Sequence, residues 1–217
     1  MDKEEIIRKT AEFVKQKMQG EGTGHDWWHV YRVWRTALRI GKEEKADLFI
    51  VQLGALLHDI ADFKFHGGDF SAGERVTRKW LSSIEVDETT TNHVAEIVKN
   101  VSFKGAKVKS GITTKEGMVV QDADRLDAMG AVGVARAFAY GGFTQRELYN
   151  PDEKPVLHTS AEDYKNSKSH TINHFYEKLL LLKGLMNTKT GKKLAMKRHN
   201  FMLKYLSEFY KEWEGKG

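Results

Sequence analysis

The sequence predicts an all-α protein, and three observations support that prediction. Apolar residues recur at three- and four-residue intervals along almost all of the 217 residues, the spacing of one helix face. Strict alternation of apolar and polar residues, which is typical of a half-buried strand, is hard to find over four or more residues. Only two prolines occur, Pro151 and Pro155, and both lie in the one long stretch with little periodicity.

Nine helices are predicted from the apolar stripes, taken in chain order. The first ends at the glycine-rich run 20–24, and the third runs directly into His58 and Asp59. Gly105 and Gly111 place a loop over residues 102–112, because glycine is common where helices stop. The stripes cover Ile6–Met18, Val30–Leu38, Leu48–Leu56, Val76–Ile84, Val94–Val101, Val119–Met129, a short helix after Gly130 that ends near Tyr140, Ile172–Leu182 and Met202–Trp213.

The chain length predicts a single domain over residues 1–217, because 24.8 kDa is within the range of one large domain. No internal repeat or break in composition divides it. We expect a core over about 22–140 and a long surface or lid-like loop over about 141–166, where both prolines lie. The C-terminal helices, about 167–214, are expected to pack as a small subdomain.

Composition excludes several classes of protein. The chain has no cysteine, so disulfides, thiolate zinc sites and thiol nucleophiles are excluded, and any metal must be held by His, Asp or Glu. It contains neither a G-x-x-x-x-G-K-[ST] nor a G-x-G-x-x-G phosphate loop. No apolar stretch reaches the roughly 18 residues of a spanning helix, and no signal peptide is evident. We therefore expect a cytoplasmic protein without membrane contact.

Charge is unevenly distributed along the chain. The formal net charge is +5, but residues 163–217 carry 12 Lys/Arg against 5 Asp/Glu. Such a surplus leaves open a non-enzymatic role in which the C-terminal helices bind nucleic acid or a protein. A basic helix face is more often simply solvated, so nucleic acid is not the expected partner. The residues that motivate this alternative are Lys189, Lys192, Lys193, Lys197 and Arg198.

Four residues form a pattern that could hold a metal ion: His29, the pair His58 and Asp59, and Asp124. Between these three elements lie 28 and 64 residues, and each element is predicted on a different helix. Two imidazoles and two carboxylates suit a divalent ion that keeps positions open for water. Buried carboxylates without a cation would be costly, which favours ligation over four unrelated polar residues.

Three motifs around these residues resemble those of the HD superfamily of metal-dependent phosphohydrolases. HDWWHVYRV at 25–33 resembles the family's D-x-x-H-x-x-R-V segment, and LGALLHDIAD at 53–62 resembles its apolar helix running into HD-x-x-D. VQDADRLDA at 120–128 resembles the A-D-x-L-D helix that supplies the last aspartate. The resemblance implies an all-helical HD-domain bundle around a single metal site, with His29, His58, Asp59 and Asp124 as ligands.

A narrower resemblance bears on the reaction. SFKG at 102–105 and DRLDAMGA at 124–131 look like the small bacterial subgroup of YpgQ and YedJ. This implies hydrolysis of nucleoside or deoxynucleoside triphosphates to monophosphate and pyrophosphate by metal-activated water. The motifs alone leave open a 5′-nucleotidase and a cyclic-nucleotide or alarmone hydrolase.

Residues near the ligands are candidates for catalysis and substrate binding. Asp62, three residues after Asp59, could orient or deprotonate the water, or could cap the helix end. Arg32, three residues after His29, could bind a phosphate or support the structure. Lys64 and Lys104 could neutralise phosphate oxygens.

Each residue near Asp124, and Asp26 before His29, has both a functional and a structural interpretation. Arg125 could contact substrate or pair with Asp122 on the helix surface. Asp127 could bind a sugar hydroxyl or form a salt bridge with a neighbour. Asp122 could also support the site by orienting a metal ligand. Asp26 could hydrogen-bond a ligand imidazole or cap the second helix.

The expected cofactor is one divalent metal ion, with Mn²⁺ favoured and Mg²⁺, Co²⁺, Ni²⁺, Fe²⁺ or Zn²⁺ as alternatives. His93 lacks a second histidine nearby that would indicate a two-metal site, so we interpret it as an ordinary helix residue. The expected partner is a small-molecule nucleotide, and the chain is expected to be a monomer or homodimer.

Overall fold

In the computed structural model, residues 1–18, 26–60, 71–102, 111–157 and 169–216 are described, and they form helices and no strand. This confirms the predicted all-α class. No helix among them is both long and apolar enough to span a bilayer. The helices are α1 (Lys3–Lys17), α2 (Trp27–Glu44), α3 (Leu48–Leu57), α4 (Ala72–Ser83), α5 (Glu88–Asn100), α6 (Lys115–Asp127), α7 (Gly130–Phe143), α8 (Thr171–His174) and α9 (Lys189–Trp213).

The described residues group into two units. Residues up to 102 together with 111–123 form the first, and the residues from 124 onward form the second. Each unit has its own core, described separately below. The interpretation of the chain as a single domain stays a prediction.

Helix α3 is the centre of the first unit's core. Its sequence LFIVQLGALL is apolar on nearly every side, which suits a helix buried all round. It packs against α1, α2 and α5. Leu53, Leu56 and Leu57 have no exposed surface. At its start the Asp47 carboxylate accepts hydrogen bonds from the Phe49 and Ile50 N–H groups, which fixes where the helix begins.

A cluster of aromatic side chains lies beside the core of the second unit. The Tyr149 ring lies 4.9 to 5.8 Å from the rings of His170, Phe209, Tyr210 and Trp213, centroid to centroid. Helix α9 contacts α7. The α9 stripe expected to be core is buried at Met202 and Leu206, whereas Trp213 is 45% exposed. These ring contacts hold the segment before α8 against the last helix.

Several predicted helix boundaries differ from the structure. Helix α9 begins at Lys189, thirteen residues before the expected start at Met202, because its first turns carry many lysines and few apolar residues. Helix α7 continues to Phe143, beyond the end expected near Tyr140. The single helix expected over Ile172–Leu182 is α8 followed by a π-helical turn, Phe175–Leu179, and a 3₁₀ turn, Leu181–Leu185. Apolar residues three and four apart fit all three helix types over two turns, so the sequence pattern could not separate them.

Candidate metal centre

His29 is placed by the start of α2. The Asp26 carboxylate accepts a hydrogen bond from the His29 backbone N–H at 2.9 Å, so Asp26 is the N-cap of this helix. This is the capping role that the sequence allowed for Asp26. His29 then lies in the first turn, and its imidazole is fully buried.

His58 and Asp59 lie just beyond the C-terminus of α3. The helix ends at Leu57, His58 is its C-cap, and the Ile60 N–H donates to the Leu57 carbonyl at 3.1 Å. The expectation that this pair lies on the helix itself is therefore wrong. The reason is local, because the helix closes in a tight turn and the His58 ring bonds back to the chain.

Three potential ligand atoms converge in this part of the first unit. His29 Nε2 lies 3.1 Å from His58 Nε2 and 3.3 Å from Asp59 Oδ2, and His58 Nε2 lies 3.6 Å from the same oxygen. Ligand atoms held about 2.1 Å from one ion lie about 3.0 to 3.4 Å from each other. Two of the three separations fall in this range and the third, 3.6 Å, is slightly longer. The three atoms are therefore close to the spacing of ligands to a single ion.

The tautomer of His58 is fixed by its backbone contact. His58 Nδ1 lies 2.8 Å from the Ala55 carbonyl oxygen, and since a carbonyl only accepts, Nδ1 must carry the proton. Nε2 then presents a lone pair toward His29 and Asp59. A backbone carbonyl that orients a ligand imidazole in this way is the usual outer contact of a metal-binding histidine.

The donor set fits a divalent cation. Both imidazoles are buried, and the Asp59 side chain is only 11% exposed. A proton shared between two of these groups would satisfy one pair, whereas a cation satisfies two nitrogens and a carboxylate oxygen together. Two imidazoles and one carboxylate also leave coordination positions open.

The predicted fourth ligand and its neighbour lie on α6. Asp122 is fully buried and belongs to the first unit, whereas Asp124 is half-buried and belongs to the second. The roles of Asp124 as a ligand and of Asp122 as a supporting residue stay predictions.

The end of α6 is held by arginines within the second unit. Arg125 donates to the Leu185 carbonyl. Asp127 is buried and accepts from Arg136 at 2.8 Å, which is the salt bridge that the sequence allowed for it. Substrate contacts by Arg125 and Asp127 stay predictions.

Three other predicted residues, Asp62, Lys64 and Lys104, lie outside the described residues. Arg32 is half-buried on α2, one turn after His29. His93 Nε2 lies 3.0 Å from Thr114 Oγ1, which is compatible with its interpretation as an ordinary helix residue.

Sequence reasoning missed how two arginines act. Arg136 is nine residues from Asp127, a separation at which no helix periodicity joins two side chains. Arg198, assigned to the basic surface of the C-terminal helices, instead reaches back 72 residues to donate to the Leu126 carbonyl. Gly130, with φ of +74°, allows the close approach, since a Cβ there would lie 3.0 Å from Arg198 Cγ.

Comparisons with known proteins agree with this geometry. A family model for the HD domain matches residues 27–129, a range that contains all four predicted ligands. The chain is 38% identical over 204 residues to YpgQ of Bacillus subtilis, covering 94% of this chain and 91% of that protein.

Solved structures show the same similarity. An HD-superfamily hydrolase from Bacillus thuringiensis is 40% identical, with a TM-score of 0.77 over 98% of this chain and 99% of that one. YpgQ from B. subtilis, solved in complex with ADP, is 34% identical, with a TM-score of 0.76 over 98% and 97% of the two chains. The chain belongs to the HD superfamily of metal-dependent phosphohydrolases.

Proposed function

We propose that the protein is a divalent-metal-dependent nucleotide pyrophosphohydrolase that converts nucleoside or deoxynucleoside triphosphates to monophosphate and pyrophosphate. The observation that carries the proposal is the convergence of His29, His58 and Asp59 to within 3.1 to 3.6 Å of each other. When bound there, a divalent ion supplies Lewis acidity toward a phosphate oxygen and makes water more acidic.

The bond changes balance without any further reactant. A water oxygen forms a bond to the α-phosphorus, and the bond from that phosphorus to the α,β-bridging oxygen breaks. The electron pair leaves with pyrophosphate, and the water loses a proton to a general base. Asp62 is the residue proposed for that base.

The chain's own residues would prepare this reaction. The Ala55 carbonyl holds the His58 ring so that Nε2 faces the ion site, and Asp59 supplies the negative charge that a cation needs. Asp124 is proposed as the fourth ligand, with Asp122 supporting it.

Substrate binding is proposed to rest on basic residues. Arg32 lies one turn from His29, so its guanidinium could bind a phosphate by two parallel hydrogen bonds. Such a cation would offset the charge that builds on the transferring and leaving oxygens. Lys64, Lys104 and Arg125 are proposed phosphate contacts, and Asp127 a sugar contact.

A nucleotide substrate is supported by the relatives. YpgQ from B. subtilis was solved in complex with ADP, and this chain is 38% identical to YpgQ over nearly its whole length. Which phosphorus is attacked follows only from the resemblance to that subgroup, so the test must report on bond cleavage.

The test is hydrolysis by metal-stripped protein in ¹⁸O-labelled water. Nucleoside and deoxynucleoside triphosphates, diphosphates and cyclic nucleotides are each offered with Mn²⁺, Mg²⁺, Co²⁺, Ni²⁺ or Zn²⁺. The proposal expects metal-dependent release of pyrophosphate, with ¹⁸O in the monophosphate. Release of inorganic phosphate or triphosphate, or turnover of cyclic nucleotides alone, would replace it with one of the other HD phosphoesterase activities.

Two aspartate variants complete the design. Asp59→Asn removes a carboxylate from the proposed ion site and should abolish turnover. Asp152→Asn is the matched control, because Asp152 lies in an exposed turn and should leave turnover unchanged.

A further inference from the structure

The outer face of α9 is a continuous basic surface, which we call the lysine face and define as Lys189, Lys192, Lys193, Lys197 and Lys204. All five residues are exposed. Lys189, Lys193 and Lys197 are four residues apart, and Lys204 follows seven later, so they lie along one side of the helix. At 1.5 Å per residue, the first three are about 6 Å apart along the axis.

No carboxylate offsets this charge along the same stretch. Between Lys189 and Glu208 the sequence contains no Asp or Glu. Among the described residues, no ion pair engages any of the five lysines. Arg198, on the same stretch, is turned inward to the Leu126 carbonyl. The positive charge of the lysine face is therefore directed to solvent.

An exposed aromatic ring lies within this charge. Phe201 is 47% exposed, four residues after Lys197 and three before Lys204, so a lysine stands about one turn away on either side. A ring flanked by cations is the arrangement by which proteins stack an unpaired base while holding its backbone phosphates.

We infer that the lysine face and Phe201 bind single-stranded nucleic acid without sequence preference. These residues belong to the second unit, whereas His29, His58 and Asp59 belong to the first. The phosphates pair with the lysines, and one base stacks on Phe201. A duplex offers phosphates but no free base face, and an acidic peptide offers carboxylates but no nucleobase.

The test is fluorescence anisotropy of labelled 20-nucleotide oligo-dT and oligo-U with the full chain. A chelator is present throughout, so that binding does not depend on a metal ion. The variant Lys193→Gln/Lys197→Gln/Lys204→Gln is compared with a control of equal charge change, Lys15→Gln/Lys17→Gln/Lys42→Gln, whose lysines are exposed on α1 and α2. Thermal unfolding checks that both variants are folded.

We expect the lysine-face variant to bind at least tenfold more weakly at 0.1 M salt, and the control to change less than twofold. The slope of log affinity against log salt should become shallower by about 2, because each phosphate contact contributes about 0.7 for single strands. Phe201→Leu should weaken binding about tenfold and leave that slope unchanged, since it removes stacking and no charge.

Three outcomes would overturn the inference. One is an equal loss of affinity in the control variant, which would reduce the effect to net charge. Another is competition by poly-glutamate of equal charge as strong as that by unlabelled oligonucleotide, which would indicate an acidic protein partner. The third is binding to vesicles of anionic lipid without binding to either oligonucleotide.

Discussion

Two helix C-termini in this protein meet the same electrostatic problem in different ways. The ends of α3 and α6 both present backbone carbonyls and nearby carboxylates, so negative charge collects at each. At the end of α6, arginines from elsewhere in the second unit neutralise this charge. Arg198 donates to the Leu126 carbonyl, and Arg136 pairs with Asp127. At the end of α3, His58 and Asp59 instead converge with His29.

The difference shows where the chain provides its own cation and where it is built to accept one. Arginine guanidinium groups make the α6 end self-sufficient, because they supply both charge and hydrogen bonds. The α3 end has imidazole lone pairs and a carboxylate, and a metal cation can accept lone pairs from all three groups. Each of the following predictions tests one side of this contrast.

The largest effect is expected at the end of α3, where a divalent metal ion is expected to bind. Asp59→Asn should lower kcat/KM by at least about 10³-fold, because losing several kcal/mol of metal-dependent stabilisation corresponds to that factor. Added Mn²⁺ should raise the Tm of the wild type and not that of the variant, since only a folded site with all its ligands binds the ion. A metal-induced Tm shift of equal size in Asp59→Asn would remove this carboxylate from the site.

The second prediction concerns the end of α6, where removing Arg136 should destabilise the fold. Arg136→Met leaves the Asp127 carboxylate buried without its 2.8 Å partner, so the free energy of unfolding should fall by about 3 kcal/mol. Urea unfolding measures this. Added divalent metal should stabilise this variant by as much as it stabilises the wild type. If metal restored the lost stability specifically, the α6 end would also be a cation site and the contrast would fail.

A smaller loss is expected from the backbone contact at the same helix end. Arg198→Met removes one of two donors to the Leu126 carbonyl, which keeps its hydrogen bond from the Met129 N–H. We expect a loss of about 1.5 kcal/mol, the contribution of a hydrogen bond made by a charged group. Arg198→Lys keeps the charge near the helix terminus and should recover part of the loss. Equal destabilisation by both substitutions, measured by urea unfolding, would show that the guanidinium hydrogen bond matters and that positive charge near the helix terminus does not.

The smallest effect concerns a histidine that the second unit keeps neutral. Burial lowers the pKa of His174 to about 3, and the nearby charges of Lys178 and Arg146 act in the same direction. Below its ordinary pKa of about 6.5, the unfolded chain takes up a proton that the folded chain does not. Stability should therefore fall as the pH decreases from about 6.5 and be unaffected above it.

The His174→Asn variant isolates this contribution. Between pH 7 and pH 5 the wild type should lose about 1 kcal/mol more than the variant, allowing for partial exposure of the ring. The measurement is the urea midpoint at each pH. Parallel pH curves for the two proteins would show that His174 does not stay neutral in the fold.

Much of the fold could be predicted because helices are governed by local sequence. Apolar periodicity located α1 to α6, and Asp26 was recognised as a possible cap because an N-cap acts on N–H groups only two or three residues away. The end of α3 was misjudged by the same logic. Apolar residues run to its last position, so the pattern carried no sign that His58 would bond back to Ala55 and close the helix.

The sequence by itself determined the all-α class, because helix periodicity is local. It also singled out His29, His58 and Asp59, which lie together in the structure, because each is marked by a short motif. Only the tertiary structure decided the pairing of Arg136 with Asp127 and the inward turn of Arg198 to Leu126. Those contacts join residues that no local period relates. They depend on which helices pack together, and packing is set by the complementarity of whole faces.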